Sequence, residues 1–133
     1  IRFQENIDKN IISIIQENPN IKFYYFLTPY SILFWDDLIR KGEMEKHLVG
    51  EQMIIKSLLD YDNVHLFSFS DNFDLTTNLN NYKDIAHYSG DINSYMLKEM
   101  HSEKHRLTRY NYKSYLSKIK KFYSNYDYES LFK

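Results

Sequence analysis

An α/β fold with a short parallel sheet and flanking helices is what this sequence predicts, on three observations. Two brief apolar runs, IKFYYFL at 21–27 and VHLFSF at 64–69, lack the alternation of a half-exposed strand and suit strands covered on both faces. Helical spacing fills the segment between them, the crossover that parallel neighbours require. Further helical patterns precede the first run and follow the second.

Taken in order, residues 1 to about 17 predict an amphipathic helix, with Phe3, Ile7, Ile11, Ile14 and Ile15 inward and Asp8, Lys9 and Glu17 outward. NPN at 18–20 ends it, because a proline disfavours helical backbone in the residue before it. After the first strand TPYS breaks the chain, and Ser31 stands as the cap of a helix to about Arg40 whose inward face is Leu33, Phe34 and Leu38. KGE around Gly42 interrupts, and a second crossover helix runs through Met44, Leu48, Met53, Ile54, Leu58 and Leu59. DYDN at 60–63 turns the chain into the second strand. Ser70 to Ser89 is polar, Asn/Asp-rich and aperiodic, and a long loop in a compact domain is functional or disordered. Ser89 then caps a helix from about Gly90 to His101, with Ile92, Tyr95, Met96 and Met100 inward. HRLT is ambiguous, with a short strand as one reading. Residues 109–133 form a helical tail, with Tyr112, Tyr115, Leu116, Ile119 and Phe122 on one face.

A length of 133 residues fits one domain, and 43% apolar content is enough to give it a core. With 13 Tyr among its aromatics, the chain should place many rings at the core edge with hydroxyls hydrogen-bonded. A net charge of −1 gives no field for nucleic acid, so no nucleic-acid partner is expected. The absence of Cys removes disulfides, thiolate metal sites and a cysteine nucleophile, but does not decide the compartment. No stretch approaches the roughly 20 apolar residues that span a bilayer, and no signal peptide is read. The chain opens at Ile1, not Met, which points to a processed or excised product.

The sheet is the physical oddity. Two parallel strands leave two unpaired edges, and such a ribbon is not stable alone. Either a third strand lies in the loop or tail, or strands come from elsewhere. The second reading is favoured.

One stretch looks like chemistry: NNYKDIAHYSGDI, 80–92. Asp84 and His87 lie three apart in the loop that leaves the carboxyl end of the second strand, where open α/β sheets form their sites. In a hydrolytic triad the imidazole takes the nucleophile's proton and the carboxylate fixes its tautomer. A bare D-x-x-H also recurs by chance among loop residues. Tyr30, Phe34 and Trp35, after the first strand, and Tyr88, beside His87, are candidate walls of an acyl or sugar pocket; helix packing accounts for Phe34 equally well. Two local serines, Ser31 and Ser89, read as helix caps and are rejected as nucleophiles. His101 and His105 are four apart but lack H-E-x-x-H, since Glu103 sits in the wrong position, so no metal site is expected. His65 reads as a satisfied strand residue and His47 as an exposed helical one.

Together, KFYYFLTPYSILFW, TTNLNNYKDIAHYSGDINSYM and RLTRYNYKSYL resemble the C-terminal half of SGNH (GDSL-like) hydrolases, in particular bacterial envelope-associated members of polysaccharide gene clusters. The likeness spans nearly the whole chain and is most specific at 81–89, N-Y-x-D-x-x-H-Y-S. It implies a partial three-layer, flavodoxin-like α/β/α fold, with Asp84 orienting and His87 as base, completed by a serine from a Gly-Asp-Ser block. It also implies an acylated glycan or lipid-linked substrate, a cell-envelope location and no cofactor. That block, the oxyanion glycine and Gly-x-Asn-Asp are all absent here: Gly42, Gly50 and Gly90 lie in no such context. The expectation is therefore the Asp/His portion of a serine esterase or acyltransferase, inactive alone and awaiting an N-terminal half. The alternative is a non-catalytic interaction domain that forms a homodimer through an exposed sheet edge.

Overall fold

In the computed structural model, which describes residues 2–133, the chain is a mixed α/β domain. Its helices are α1 (Arg2–Ile7), α2 (Ser13–Glu17), α3 (Ile32–Arg40), α4 (Met44–Leu59), α5 (Phe73–Thr77), α6 (Gly90–His101) and α7 (Tyr112–Asn125). The strands are β1 (Phe23–Leu27), β2 (Val64–Ser68) and β3 (Arg106–Leu107), in the order β1-β2-β3. β1 and β2 are parallel, with Phe23 opposite Val64 and Leu27 opposite Ser68, so β1-α3-α4-β2 is the expected crossover unit.

The third strand corrects the reading that every missing strand comes from elsewhere. HRLT supplies it: Arg106 and Leu107 pair antiparallel with Phe67 and Leu66. This leaves β1 at the sheet's other edge.

Alternation along the strands divides the core in two. Phe23, Tyr25 and Leu27 join Val64 and Leu66 in a cluster with Ile15, Trp35, Ile55, Leu58, Ile119 and Tyr123, drawn from α2, α3, α4 and α7. Phe26 and Phe67 face the other way and meet Phe69, Met96 and Met100, the last two from α6. A fully buried side chain of this size contributes about 1.5–3 kcal/mol. The α6 face is the thinner one: Tyr24 on it is 47% exposed and lies over the His65 ring at 4.5 Å.

Three local registers differ from the spacing argument. Between α1 and α2 the backbone forms a π-helical segment, Asp8–Ile12, whose wider turn moves the inward stripe to Ile7, Ile12 and Ile15 and leaves Ile14 exposed. In α3, Ile32, Trp35 and Leu38 point inward, while Phe34 is only half-buried. The segment 70–89 also contains structure: α5 and a 3-10 turn, Leu79–Asn81, both of them started by asparagines (Asn72 and Asn78) that accept backbone N–H bonds. The α3–α4 break is as read. Gly42, at φ 68°, is the left-handed residue of a Schellman turn in which the Gly42 and Glu43 amides bond the Ile39 and Leu38 carbonyls at 3.1 and 2.8 Å.

Tyrosine hydroxyls tie the layers together. Tyr123, fully buried and stacked on Trp35 at 4.2 Å, donates to the Ser70 carbonyl at 2.5 Å and pairs with Thr76 Oγ1 at 2.8 Å. Trp35 Nε1 is the one buried side-chain polar atom without a partner among the described residues.

Candidate functional site

The D-x-x-H loop is a closed knuckle and not a loose connection. Tyr82 and Tyr88 form an isolated antiparallel bridge, the Lys83 amide bonds the His87 carbonyl at 2.7 Å, and the Ser89 amide bonds the Asn81 carbonyl at 2.8 Å. Two bonds fasten the knuckle to the segment that follows β1: Tyr82 donates its hydroxyl to the Pro29 carbonyl at 2.7 Å, and Ser31 Oγ donates to the Ile85 carbonyl at 2.6 Å. The loop after β2 is thus held against the loop after β1, at the carboxyl ends of both parallel strands.

Inside the knuckle Asp84 and His87 meet. His87 Nδ1 lies 2.9 Å from Asp84 Oδ1 and 2.8 Å from Oδ2. Asp84 Oδ1 also accepts the backbone N–H groups of Ala86 and His87 at 2.9 and 2.8 Å, an Asx-turn arrangement. The two backbone donors, followed by the imidazole, hold the Asp84 carboxyl down at about 2. An ionised carboxylate only accepts hydrogen bonds, so the proton must sit on Nδ1. In the neutral ring the lone pair is then on Nε2, which has no hydrogen-bond partner among the described residues. The side chains of His87 and Asp84 are 77% and 57% exposed, so Nε2 can be reached from solvent. A carboxylate on Nδ1 with a free Nε2 is the geometry of a general base.

The other candidates separate. Tyr30 is half-buried, stacked on Phe34 at 3.9 Å, and lines a cavity of about 240 Å³ with Phe26, Leu27, Thr28 and Ser70. Trp35 does not wall a pocket: it is 1% exposed and belongs to the core, because the helical register turns it onto Tyr123. Tyr88 is half-buried against the Phe67–Met96 cluster. Ser31 is fully buried with its hydroxyl committed to Ile85, so it offers no nucleophile. Ser89 holds the N-cap position of α6 through its carbonyl, which accepts the Ile92 and Asn93 amides; neither it nor Ser31 makes the side-chain cap bond that their sequence positions suggest.

The histidines resolve as well. His65 Nδ1 pairs with Glu103 at 2.7 Å, as a satisfied strand residue. His101 and His105 share no helix face, since α6 ends at His101 and the chain turns through left-handed Glu103 and His105. Among the described residues no cluster of three or more His, Asp or Glu side chains could hold a metal. His47 is not exposed as its helical position suggested: it sits among the rings of Tyr30, Phe34 and Trp35, and this burial lowers its pKa.

Sequence reading missed Glu51. It is 8% exposed, and its Oε1 accepts the Tyr115 hydroxyl at 2.6 Å. Tyr115 in turn lies 2.5 Å from Ser68 Oγ, and the Ser70 amide reaches that oxygen at 3.4 Å. The signal was present: Leu48, Glu51, Ile55 and Leu58 recur at spacings of three and four, which puts a carboxylate on α4's inward stripe.

No protein-family model, curated protein or solved structure matches the chain.

Proposed function

We propose that these residues carry the acid–base portion of a serine-type ester hydrolase or acyltransferase, with Asp84 orienting His87 and with the nucleophilic hydroxyl contributed from outside this stretch. The single observation that supports the reading most is the Asp84–His87 pair: Nδ1 is held by both carboxylate oxygens and Nε2 is free on an exposed knuckle. His87 takes the proton of the incoming hydroxyl on Nε2 and returns it to the leaving alkoxide, while Asp84 stabilises the imidazolium formed in between. The SGNH-like motif at 81–89 favours ester chemistry on an acylated glycan or lipid-linked substrate at the cell envelope. Ser31 and Ser89 offer no substitute nucleophile, and donors aimed at an oxyanion commonly contribute about 3–4 kcal/mol. The stretch alone is therefore expected to be inert toward esters.

The test is ester turnover by the protein that holds these residues together with the nucleophile. His87→Ala should bring hydrolysis of an activated acetyl ester close to background. Turnover near wild type would exclude the assignment.

A second reading rests on β1, which stands at the edge of the sheet with Tyr24 exposed. Parallel strands ordinarily have neighbours and cover. A non-catalytic domain that dimerises through this edge would satisfy it. Solution mass separates the two: a dimer abolished by Tyr24→Pro, whose N–H faces the open edge because that of Phe23 bonds the Asn63 carbonyl beside β2, favours edge pairing, and a monomer speaks against it.

A further inference from the structure

The cavity beside Tyr30 has a feature that the ester reading does not use. Its walls are Phe26 and Leu27 from the end of β1, Thr28 and Tyr30 after it, His47, Glu51 and Ile54 from α4, and Ser70 after β2. Glu51 is its one acid, and no Lys or Arg lines it. Oε1 of Glu51 is taken by Tyr115. Oε2 carries no hydrogen bond among the described residues; His47 Nε2 lies 3.9 Å from it. Three titratable groups face the carboxyl: His47 on its own helix, Tyr115 on α7 and Tyr30 on the loop after β1. Burial pushes the His47 pKa down, so its ring is neutral at neutral pH, and a phenol such as Tyr115 carries no positive charge in either state. A carboxylate withdrawn from water without a counter-charge is costly, and a matching cation removes that cost. The ring of Tyr30 and the wall formed by Phe26 suit the same guest, because aromatic faces attract ammonium groups.

We propose that this cavity binds a small organic ammonium group, with Glu51 Oε2 as the counter-ion and the Thr28–Tyr30 segment and Ser70 as its rim. The site is independent of the Asp84–His87 pair, and binding is read without turnover. Burial holds the Glu51 carboxyl near 7, so ionisation and ammonium binding compete with protonation in the physiological range. Affinity should rise with pH, by about tenfold from pH 6 to pH 8 for a carboxyl titrating at about 7.

The experiment uses the intact protein and two probes of equal heavy-atom count, ethanolamine and ethylene glycol, followed by amide chemical shifts of Thr28, Tyr30 and Ser70. Ethanolamine should bind with a dissociation constant on the order of millimolar, the range open to so small a ligand. Ethylene glycol should not. Glu51→Gln keeps an oxygen for the Tyr115 hydroxyl and should weaken ethanolamine by at least about tenfold. Glu45→Gln, an exposed position on the same helix, should leave binding unchanged. Equal binding of the two probes, retained affinity in Glu51→Gln, or no perturbation of the three amides would each overturn the proposal. Should Glu51→Gln fail to fold, the pH dependence with the unaltered protein decides: affinity flat from pH 6 to pH 8 rejects Glu51 as the counter-ion.

Discussion

Asp84 and Glu51 are two carboxyls at the same end of one small sheet, and their surroundings drive them in opposite directions. Asp84 lies in solvent on a knuckle where two backbone N–H groups and an imidazole point at it; its carboxyl is held down at about 2. Glu51 is enclosed by α4, α7 and the strand ends with one hydroxyl donor, and burial raises its carboxyl to about 7. Hydrogen-bond supply decides the first case and desolvation the second. Exposure alone would have given the wrong account of Asp84, because an exposed carboxylate need not be an ordinary one. The consequence is a division of labour: one carboxyl permanently charged and able to fix a tautomer, the other poised to exchange a proton or accept a cation.

The largest effect expected from disturbing this contrast is on turnover. In the nucleophile-bearing protein Asp84→Asn should cut ester hydrolysis by about 10⁴-fold, the loss seen when a triad carboxylate becomes an amide and presents the wrong partner to the ring. Measured kcat/KM within tenfold of wild type would mean that Asp84 merely shapes its loop. The effect is chemical: both backbone bonds to Oδ1 can survive the change, so the loop should keep its form.

The stability profile should respond next. Glu51 titrates near 7 when folded and at 4.5 when unfolded, so the folded state binds more protons between those values. Its contribution is complete below pH 4.5 and is lost as pH rises through about 7, by roughly 3 kcal/mol at most. Asp84 acts with the other sign and elsewhere: its contribution is present above its ordinary value of 3.8 and is lost as pH falls through about 2. His47, lowered from 6.5, opposes Glu51 in part, since its contribution is lost on acidification. Chemical denaturation of the wild type and of Glu51→Gln at several pH values cancels the histidine. The difference between the two should shrink or change sign from pH 5 to pH 8, and a constant difference would show that Glu51 titrates normally.

Much of the fold, and one of the two carboxyls, was legible in the sequence. Asp84 and His87 could be read because their relation is local: a three-residue spacing within one loop brings them together with little help from distant chain. The βαβ unit and α6 were legible because apolar run length and helical period are themselves local signals. Glu51 was passed over because its meaning comes from Tyr115, on another helix, and from Ser68 and Ser70 at the end of β2. His47 was misjudged for the same reason, its three aromatic neighbours being contributed by the β1–α3 segment. The π-helical segment shows a different limit, since a reading at 3.6 residues per turn cannot anticipate a five-residue step from Ile7 to Ile12. Trp35 is expected at a pocket wall from its place after β1, but the register of α3 turns it onto Tyr123, while Phe34, open to either reading, packs half-buried against the core.

The smallest effect returns to Asp84, now in stability at neutral pH. Its carboxylate is more than half exposed, and the bonds it makes are to its own loop. Asn fills the same space, and its Oδ1 can accept the Ala86 and His87 amides as the carboxylate does. What changes is the group facing His87 Nδ1, where an amide N–H would replace an oxygen and favour the other imidazole tautomer. An exposed contact of that kind contributes little to stability, because solvent screens it. Thermal or urea unfolding of Asp84→Asn at pH 7 should therefore be close to wild type, while the His87 ring nitrogens exchange their protonation pattern by NMR. A clear loss of stability would mean that the knuckle is a structural strut, for surface changes away from special features rarely unsettle a fold. The same substitution would then no longer separate chemistry from folding, and the turnover result would lose its meaning as a test of the base.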